Sequence, residues 1–368
     1  MIYLVCFGVS VLFAHLANKA RNRYSFFLWS FISIIVPVML AALRDYSIGI
    51  DTLMYYKGWW TDAVRAGSLF RFLRVYSHTA SMEYLYAALL GIGVTFGKNF
   101  RVFLFCVHLV IVGGTYMGAF RLKHHAAPEL TLSLFYLLYY NYSLNASRQH
   151  MALAVLFAAA VYLEQKKYLH YGILCVVAFF FHNSAILGVM PLALYIFLYP
   201  SKRMENVPIW RRILLLALIF VAVIGFNPIA RFLINLGIGR SKYLVYLDQE
   251  NESSYGTARL LLLVEMSVLL VYWKQIKRSD SCANFYLYST IAFFVLYQMA
   301  PLIAYGKRIA AYFAMYNAVT LGMMVRSNKI KSNRVILTFG ILLGAFAYWY
   351  FIYVRSNGSR TYPYIFGV

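Results

Sequence analysis

Four places in the chain set ionisable or polar groups beside apolar runs, where they are costly and by default functional. The first is Leu43-Arg44-Asp45-Tyr46-Ser47-Ile48-Gly49-Ile50-Asp51-Thr52, followed by Tyr55. It gathers one arginine and two carboxylates at the end of an apolar run, in a chain with only 12 acidic residues. A tight turn at Gly49 would bring Asp51 back towards Asp45. Paired carboxylates serve as acid and base, or grip hydroxyl groups. Tyr55 is a hydrogen-bond donor if the segment is helical. The blander role for Arg44 and Asp45 is to cap the helix and anchor it at the interface.

The second place is Asn145-Ala146-Ser147-Arg148-Gln149-His150, a polar interruption between two apolar runs. Arg148 there either snorkels to the interface or binds an anion, with Gln149 as a polar partner. The third is Phe181-His182-Asn183-Ser184. A histidine among aromatics is commonly a structural donor. A neutral imidazole can also take a proton from a hydroxyl, and Asn183 adds an amide beside it. The fourth comprises Arg259 and Arg308, each opening an apolar run. Guanidinium forks suit a pyrophosphate and would stabilise charge as it leaves. Glu83, Glu129 and Glu265 also lie in or beside apolar runs; Glu83 either faces a cavity or marks the interface.

These groups need elements to position them. The chain is 62 % hydrophobic, 12 % charged and 18 % aromatic, with a mean hydropathy of +0.66. So few charges cannot cover a large soluble core, which makes this an all-α, polytopic membrane protein. Apolar runs near 1–18, 26–43, 102–120, 128–145, 148–163, 168–182, 184–199, 211–229, 258–273, 284–304, 308–325 and 334–354 predict about 12 membrane-spanning helices. A further run at 84–97 reads as a re-entrant or interfacial segment, because a full crossing would break the charge pattern of the loops.

Basic loops at 19–23, 121–125, 164–167, 201–212, 274–278 and 326–331 mark the cytoplasmic side. The external side then holds the loops 44–83 and 230–257 and the short turns around Arg148, His182 and Arg308. Within 44–83, residues 60–76 fit an amphipathic helix on the outer surface. A single transmembrane domain over 1–368 is the simplest organisation.

The net charge of +22 belongs mostly to these short loops, so it signals topology and contact with anionic lipid rather than nucleic acid. Cys6, Cys106, Cys175 and Cys282 have no metal-like spacing, and His124 and His125 sit in a basic loop. No phosphate-loop or dinucleotide fingerprint is present. No cofactor and no metal are therefore expected.

The motif from Arg44 to Thr52 with Tyr55, then Ser147-Arg148-Gln149, then Phe181-His182-Asn183-Ser184-Ala185, together with Arg308 ahead of Tyr312 and the tail Tyr362-Pro363-Tyr364, resembles the EpsG/Wzy-like family of bacterial membrane polysaccharide polymerases. The resemblance runs in order along nearly the whole chain. It implies an O-antigen or exopolysaccharide polymerase in the bacterial cytoplasmic (inner) membrane, with its active site facing the periplasm or cell exterior. The implied substrates are undecaprenyl-diphosphate-linked oligosaccharides. The growing chain would leave its lipid diphosphate for a hydroxyl of the incoming unit, beside flippase and chain-length regulator partners. Asp51 or Asp45 would then be the base or orient the acceptor, with His182 a second base. Arg44, Arg148 and Arg308 would clamp the diphosphate, and rings such as Trp59 or Trp60 would stack on sugars. The main rival is a flippase for lipid-linked oligosaccharides, which also needs a basic, many-spanned body.

Overall fold

A computed structural model describes residues 1–80, 82–199, 256–301 and 306–367, with scattered positions between 208 and 235. Among the described residues the regular structure is helical, apart from one isolated β-bridge between Arg44 and Phe366. They divide into two compact units, residues 1–189 with 329–368, and residues 190–328.

In the first unit, α1 (Ile2–Lys19) and α2 (Arg23–Ala42) form an antiparallel pair. Pro37 lies inside α2 and has no N–H to give to the carbonyl four residues back. That carbonyl, on Ser33, instead accepts from the Ser10 hydroxyl at 2.6 Å, and Ser33 Oγ donates to Ser10 O at 2.8 Å. The proline thus frees an acceptor that ties α1 to α2.

The segment after α2 carries α3 (Lys57–Ala66) and α4 (Leu69–Ala80). Gly67, at φ 73°, separates them and donates back to Ala63 and Val64 carbonyls. The amphipathic stretch expected at 60–76 is therefore two helices meeting at a left-handed glycine.

Next come α5 (Tyr84–Thr95) and α6 (Phe100–Arg121). Twelve residues of α5 span only about 18 Å, short of the ~30 Å hydrocarbon layer. Tyr86 and Gly93 of α5 both lie against Phe103 of α6.

The chain continues through α7 (Pro128–Phe135), a π-helical turn (Tyr136–Tyr140) and α8 (Asn141–Asn145) into α9 (Ser147–Glu164). Gly114 and Gly118 let α9 approach α6 closely: a Cβ on Gly114 would sit 3.0 Å from Ala154 Cβ and 3.1 Å from its backbone. Small residues four apart are the usual means of close helix contact in membranes. α10 (Tyr168–Phe181) packs on α9 and ends at His182, followed by a 3₁₀ turn (Asn183–Gly188).

α11 (Val189–Leu198) leads into the second unit, which contains α12 (Gly256–Ser279), α13 (Ala283–Gln298) and α14 (Gly306–Ser327). The first unit is completed by α15 (Lys331–Trp349) and the tail.

Among the described residues, five helical stretches are long and apolar enough to cross a membrane: Ile2–Lys19, Arg23–Ala42, Phe100–Arg121, Gly256–Ser279 and Lys331–Arg355. This corrects the expected count of about 12, and the physical reasons differ by segment. The run 128–145 is one helical stretch with a π-helical turn inside it, but it is too polar, carrying Glu129, Asn141, Asn145 and four tyrosines. The run 168–182 forms a helix of 14 residues, and 184–199 is a 3₁₀ turn plus a helix of 10. The 16 residues of α13 reach only about 24 Å. α9 and α14 are long enough but too polar. α9 starts with Arg148, Gln149 and His150 and ends at Glu164, and α14 carries Lys307, Arg308 and Arg326. Both bury much of their surface in protein, where polar groups can find partners. The run 211–229 and the loop 230–257 lie outside the described residues but for isolated positions.

Candidate active site

Glu83, immediately before α5, is the hub of a charged cluster in the first unit. Its Oε2 accepts from Arg148 Nη1 at 2.7 Å. Its Oε1 accepts from His182 Nδ1 at 3.0 Å and from the Asn183 backbone N–H at 3.2 Å. The three residues come from different places: the entry to α5, the first turn of α9, and the residue that ends α10. The His182 backbone is extended, which turns the chain out of α10 and points both the imidazole and the next N–H at one carboxylate.

The Glu83 side chain is only 4 % exposed, whereas those of Arg148 and His182 are 25 % and 18 % exposed. Burial pushes the Glu83 carboxyl up. The His182 hydrogen bond and the Arg148 charge outweigh that and hold it down at about 2. It is a carboxylate at neutral pH and can only accept, so His182 Nδ1 is the donor. Neutral His182 then carries its lone pair on Nε2.

Arg148 is also framed by aromatics. Its guanidinium carbon lies 4.8 Å from the Trp59 ring centre and 5.7 Å from that of Tyr86. Trp59, Tyr56 and Tyr86 pack on one another with centroids about 6 Å apart. The Tyr56 hydroxyl donates to Asn145 O at 3.0 Å and accepts from Ser147 Oγ at 2.8 Å. It therefore fixes the turn that presents Arg148. Of the two tryptophans expected to meet sugar, Trp59 borders Arg148, while Trp60 is buried against Phe100 and Phe103.

The motif around Arg44 adjoins the cluster through Asn145. The Asp51 backbone N–H donates to Asn145 Oδ1 at 2.8 Å. The Asp45 carboxylate closes a turn on Ser47, accepting from its N–H at 2.9 Å and its hydroxyl at 2.7 Å, and the Ser47 N–H holds its pKa down. Arg44 is 3 % exposed. It donates to Ala41 O and Leu144 O and reaches Thr52 Oγ1 and His108 Nε2. His108 Nδ1 faces the Leu104 carbonyl, so His108 Nε2 bears the lone pair that accepts from Arg44. Arg44 is thus turned inward as a tie between α2, α6 and α8.

Gly49, at φ 88°, makes the turn, and a Cβ there would meet Leu144 O at 2.9 Å. The tail then closes over this motif. Asp45 N–H donates to Ile365 O, Gly49 N–H to Arg360 O, and Gly367 N–H to Leu43 O, each at 2.9 Å.

Gln149 is buried at the start of α9, and Asn183 is exposed beside His182. The backbone of Tyr55 lies in the π-helical turn Thr52–Tyr56, and its side chain is outside the described residues. Arg259 and Arg308 belong to the second unit: Arg259 O accepts from Gln298 Nε2 at 2.9 Å, and Arg308 is exposed at the start of α14. Glu265 there accepts from Asn317 Nδ2 at 2.7 Å, while Glu129 in the first unit accepts from His15 and Asn18.

The structure therefore brings Arg148, His182 and Asn183 together on Glu83, while Asp51 is tied by its backbone to Asn145, three positions before Arg148 in the chain. Sequence reasoning weighed Glu83 without choosing it. Its signal was a rare carboxylate abutting an apolar run, the same signal that selected Asp45 and Asp51. Tyr56 and Tyr86 were hidden among 33 tyrosines. Among the described residues, His124, His125 and Glu164 form a separate group able to hold a metal ion.

A family model described as the EpsG family matches residues 27–366, most of the chain. No curated protein and no solved structure matches it.

Proposed function

The chain belongs to the EpsG family, and from that premise we propose that it polymerises a surface polysaccharide by glycosyl transfer between lipid-diphosphate-linked oligosaccharides, at the outer face of the bacterial cytoplasmic membrane. The observation that carries this reading is the convergence of Arg148 and His182 on one buried carboxylate.

In this reading Glu83 sets the His182 tautomer. Its carboxylate accepts the Nδ1–H hydrogen bond, which leaves Nε2 to accept the proton of an attacking sugar hydroxyl. The resulting imidazolium is stabilised by the same carboxylate. Arg148 spends one N–H on Glu83, and its remaining donors face the leaving diphosphate. The glycosidic bond to the lipid diphosphate breaks as the new one forms, and the diphosphate departs with its negative charge matched by the guanidinium. Trp59, at the edge of the cluster, offers a ring face to a sugar. Asp51 orients the acceptor from the adjoining turn. Arg44 contributes by holding that turn.

Deleting the gene in its host and examining the surface polysaccharide tests the assignment. A polymerase predicts lipid carrier or lipid core bearing a single repeat unit outside the membrane. Repeat units trapped on the inner face would instead identify a flippase. Unchanged polymer would remove the chain from this pathway altogether.

A further inference from the structure

A second cluster lies at the far end of α9. His124 Nε2 is 3.1 Å from Glu164 Oε2, and His125 Nε2 is 2.7 Å from Glu164 Oε1. The two imidazoles are neighbours in sequence, yet their ring centres are only 3.9 Å apart. The cause is the tight turn after α6, where the N–H groups of His125 and Ala126 both return to Leu122 O. That turn sends both rings towards the last residue of α9. One ligand atom from each of the three residues lies within 4.8 Å of the others.

We propose that His124, His125 and Glu164 bind a divalent transition-metal ion of the zinc type. Two imidazoles and one carboxylate are a donor set that suits zinc, copper or nickel, whereas calcium and magnesium take oxygen ligands. Tetrahedral ligation at ~2.0–2.2 Å puts donor atoms a little over 3 Å apart, close to the present spacings. Burial is graded in a useful way: His125 and Glu164 side chains are 3 % and 8 % exposed, while His124 is 52 % exposed. Two ligands are thereby preset and the third opens the site to solvent, leaving a fourth position for water. The ion would take the place of the hydrogen bonds now made between the imidazoles and the carboxylate.

Arg121, at the start of the same turn, donates to Ala158 O and lies over the Tyr162 ring. Lys123, Lys166 and Lys167 remain on the flanking turns and lower the affinity for any cation.

Arg148 and Glu164 are separated along α9 by about 24 Å, so this cluster is remote from the one on Glu83. The bound ion would clip the α6–α7 turn to the end of α9. The inference does not depend on the polymerase reading.

The test uses the full-length protein, without a polyhistidine tag, purified in detergent and stripped with chelator. Cobalt(II) is titrated in as a spectroscopic probe, and zinc is read by its effect on thermal unfolding. One saturable equivalent of cobalt with tetrahedral absorption, and a zinc-dependent rise in Tm, are expected. His124→Ala and Glu164→Gln should each weaken binding beyond the ~10–100-fold that follows loss of a merely orienting partner. His170→Ala, outside the trio, should leave it unchanged. His124 is half exposed, so its replacement keeps the fold, and Glu164→Gln keeps the side-chain shape. Absence of stoichiometric binding, or equal affinity in the wild type and both variants, would overturn the assignment.

Discussion

At the scale of single residues, the account rests on Glu83, a carboxylate that has two donors on separate helices and one backbone N–H to hold. Its pKa is depressed from 4.5 to about 2, so its charge favours the folded state. The sign follows from linkage. The stabilisation is complete above about pH 4.5 and disappears as the pH falls towards 2. For a group this buried the shift corresponds to roughly 3 kcal/mol. Thermal unfolding of the wild type and Glu83→Gln should therefore differ by a constant amount from pH 5 to 7, with the gap closing below pH 4.5. A gap that widens on acidification would contradict the assignment of charge. Gly49 makes a second residue-scale prediction. Alanine there must adopt a positive φ and press its Cβ on Leu144 O. Gly49→Ala should cost about 1–3 kcal/mol and lower Tm, whereas Gly58→Ala, where a Cβ meets nothing within 4 Å, should not.

At the scale of elements, α9 decides the positions of both clusters, and α6 decides the position of α9. Contact between them is made at Gly114 against the Ala154 backbone, which has no flexible end to move aside. Gly114→Val should destabilise the protein by about 1–3 kcal/mol and lower activity through misplacement of Arg148. Measured Tm and polymer yield should fall together. Unchanged Tm would mean that the helices are not held by this approach. The elements also show what a sequence can and cannot convey. The runs at 1–18, 26–43, 102–120, 258–273 and 334–354 are continuous and lipid-compatible, and each corresponds to a long helix. The run 128–145 is as long but carries Glu129, Asn141, Asn145 and four tyrosines, so it is less apolar than those five. Tyr136 and Tyr140 there bond to Ser10 and Pro37 O, and Leu138 O accepts from Tyr353, tertiary partners that hydropathy does not record. Arg148 and His182 were legible because polar groups interrupt apolar runs there. Their shared dependence on Glu83 was not, since 65 and 99 residues separate the partners.

At the scale of the whole molecule, α9 has Arg148 at its first turn and Glu164 at its last. The reading we propose has the basic turns near Glu164 on the cytoplasmic side and the Glu83 cluster outside, as the positive-inside trend favours. Single cysteines at positions 183 and 167, both exposed, test this in a background whose four native cysteines are replaced. A membrane-impermeant thiol reagent added to intact cells should modify position 183 and spare position 167. Modification of both from outside, or of 167 alone, would contradict the orientation. The tail matters at this scale too. By pairing with residues 43–49, residues 360–367 are tied to the motif that lies beside the charged cluster.

The most direct test is polymer formation by purified protein supplied with its lipid-diphosphate-linked repeat unit, comparing the wild type with His182→Gln and Arg148→Ala. Removing a general base or an anion-stabilising donor each predicts a loss of about 10²–10³-fold or more in rate, with the protein still folded at the assay temperature although Tm falls as Glu83 loses a partner, and single units left unjoined. Polymerisation at the wild-type rate in both variants would contradict the account.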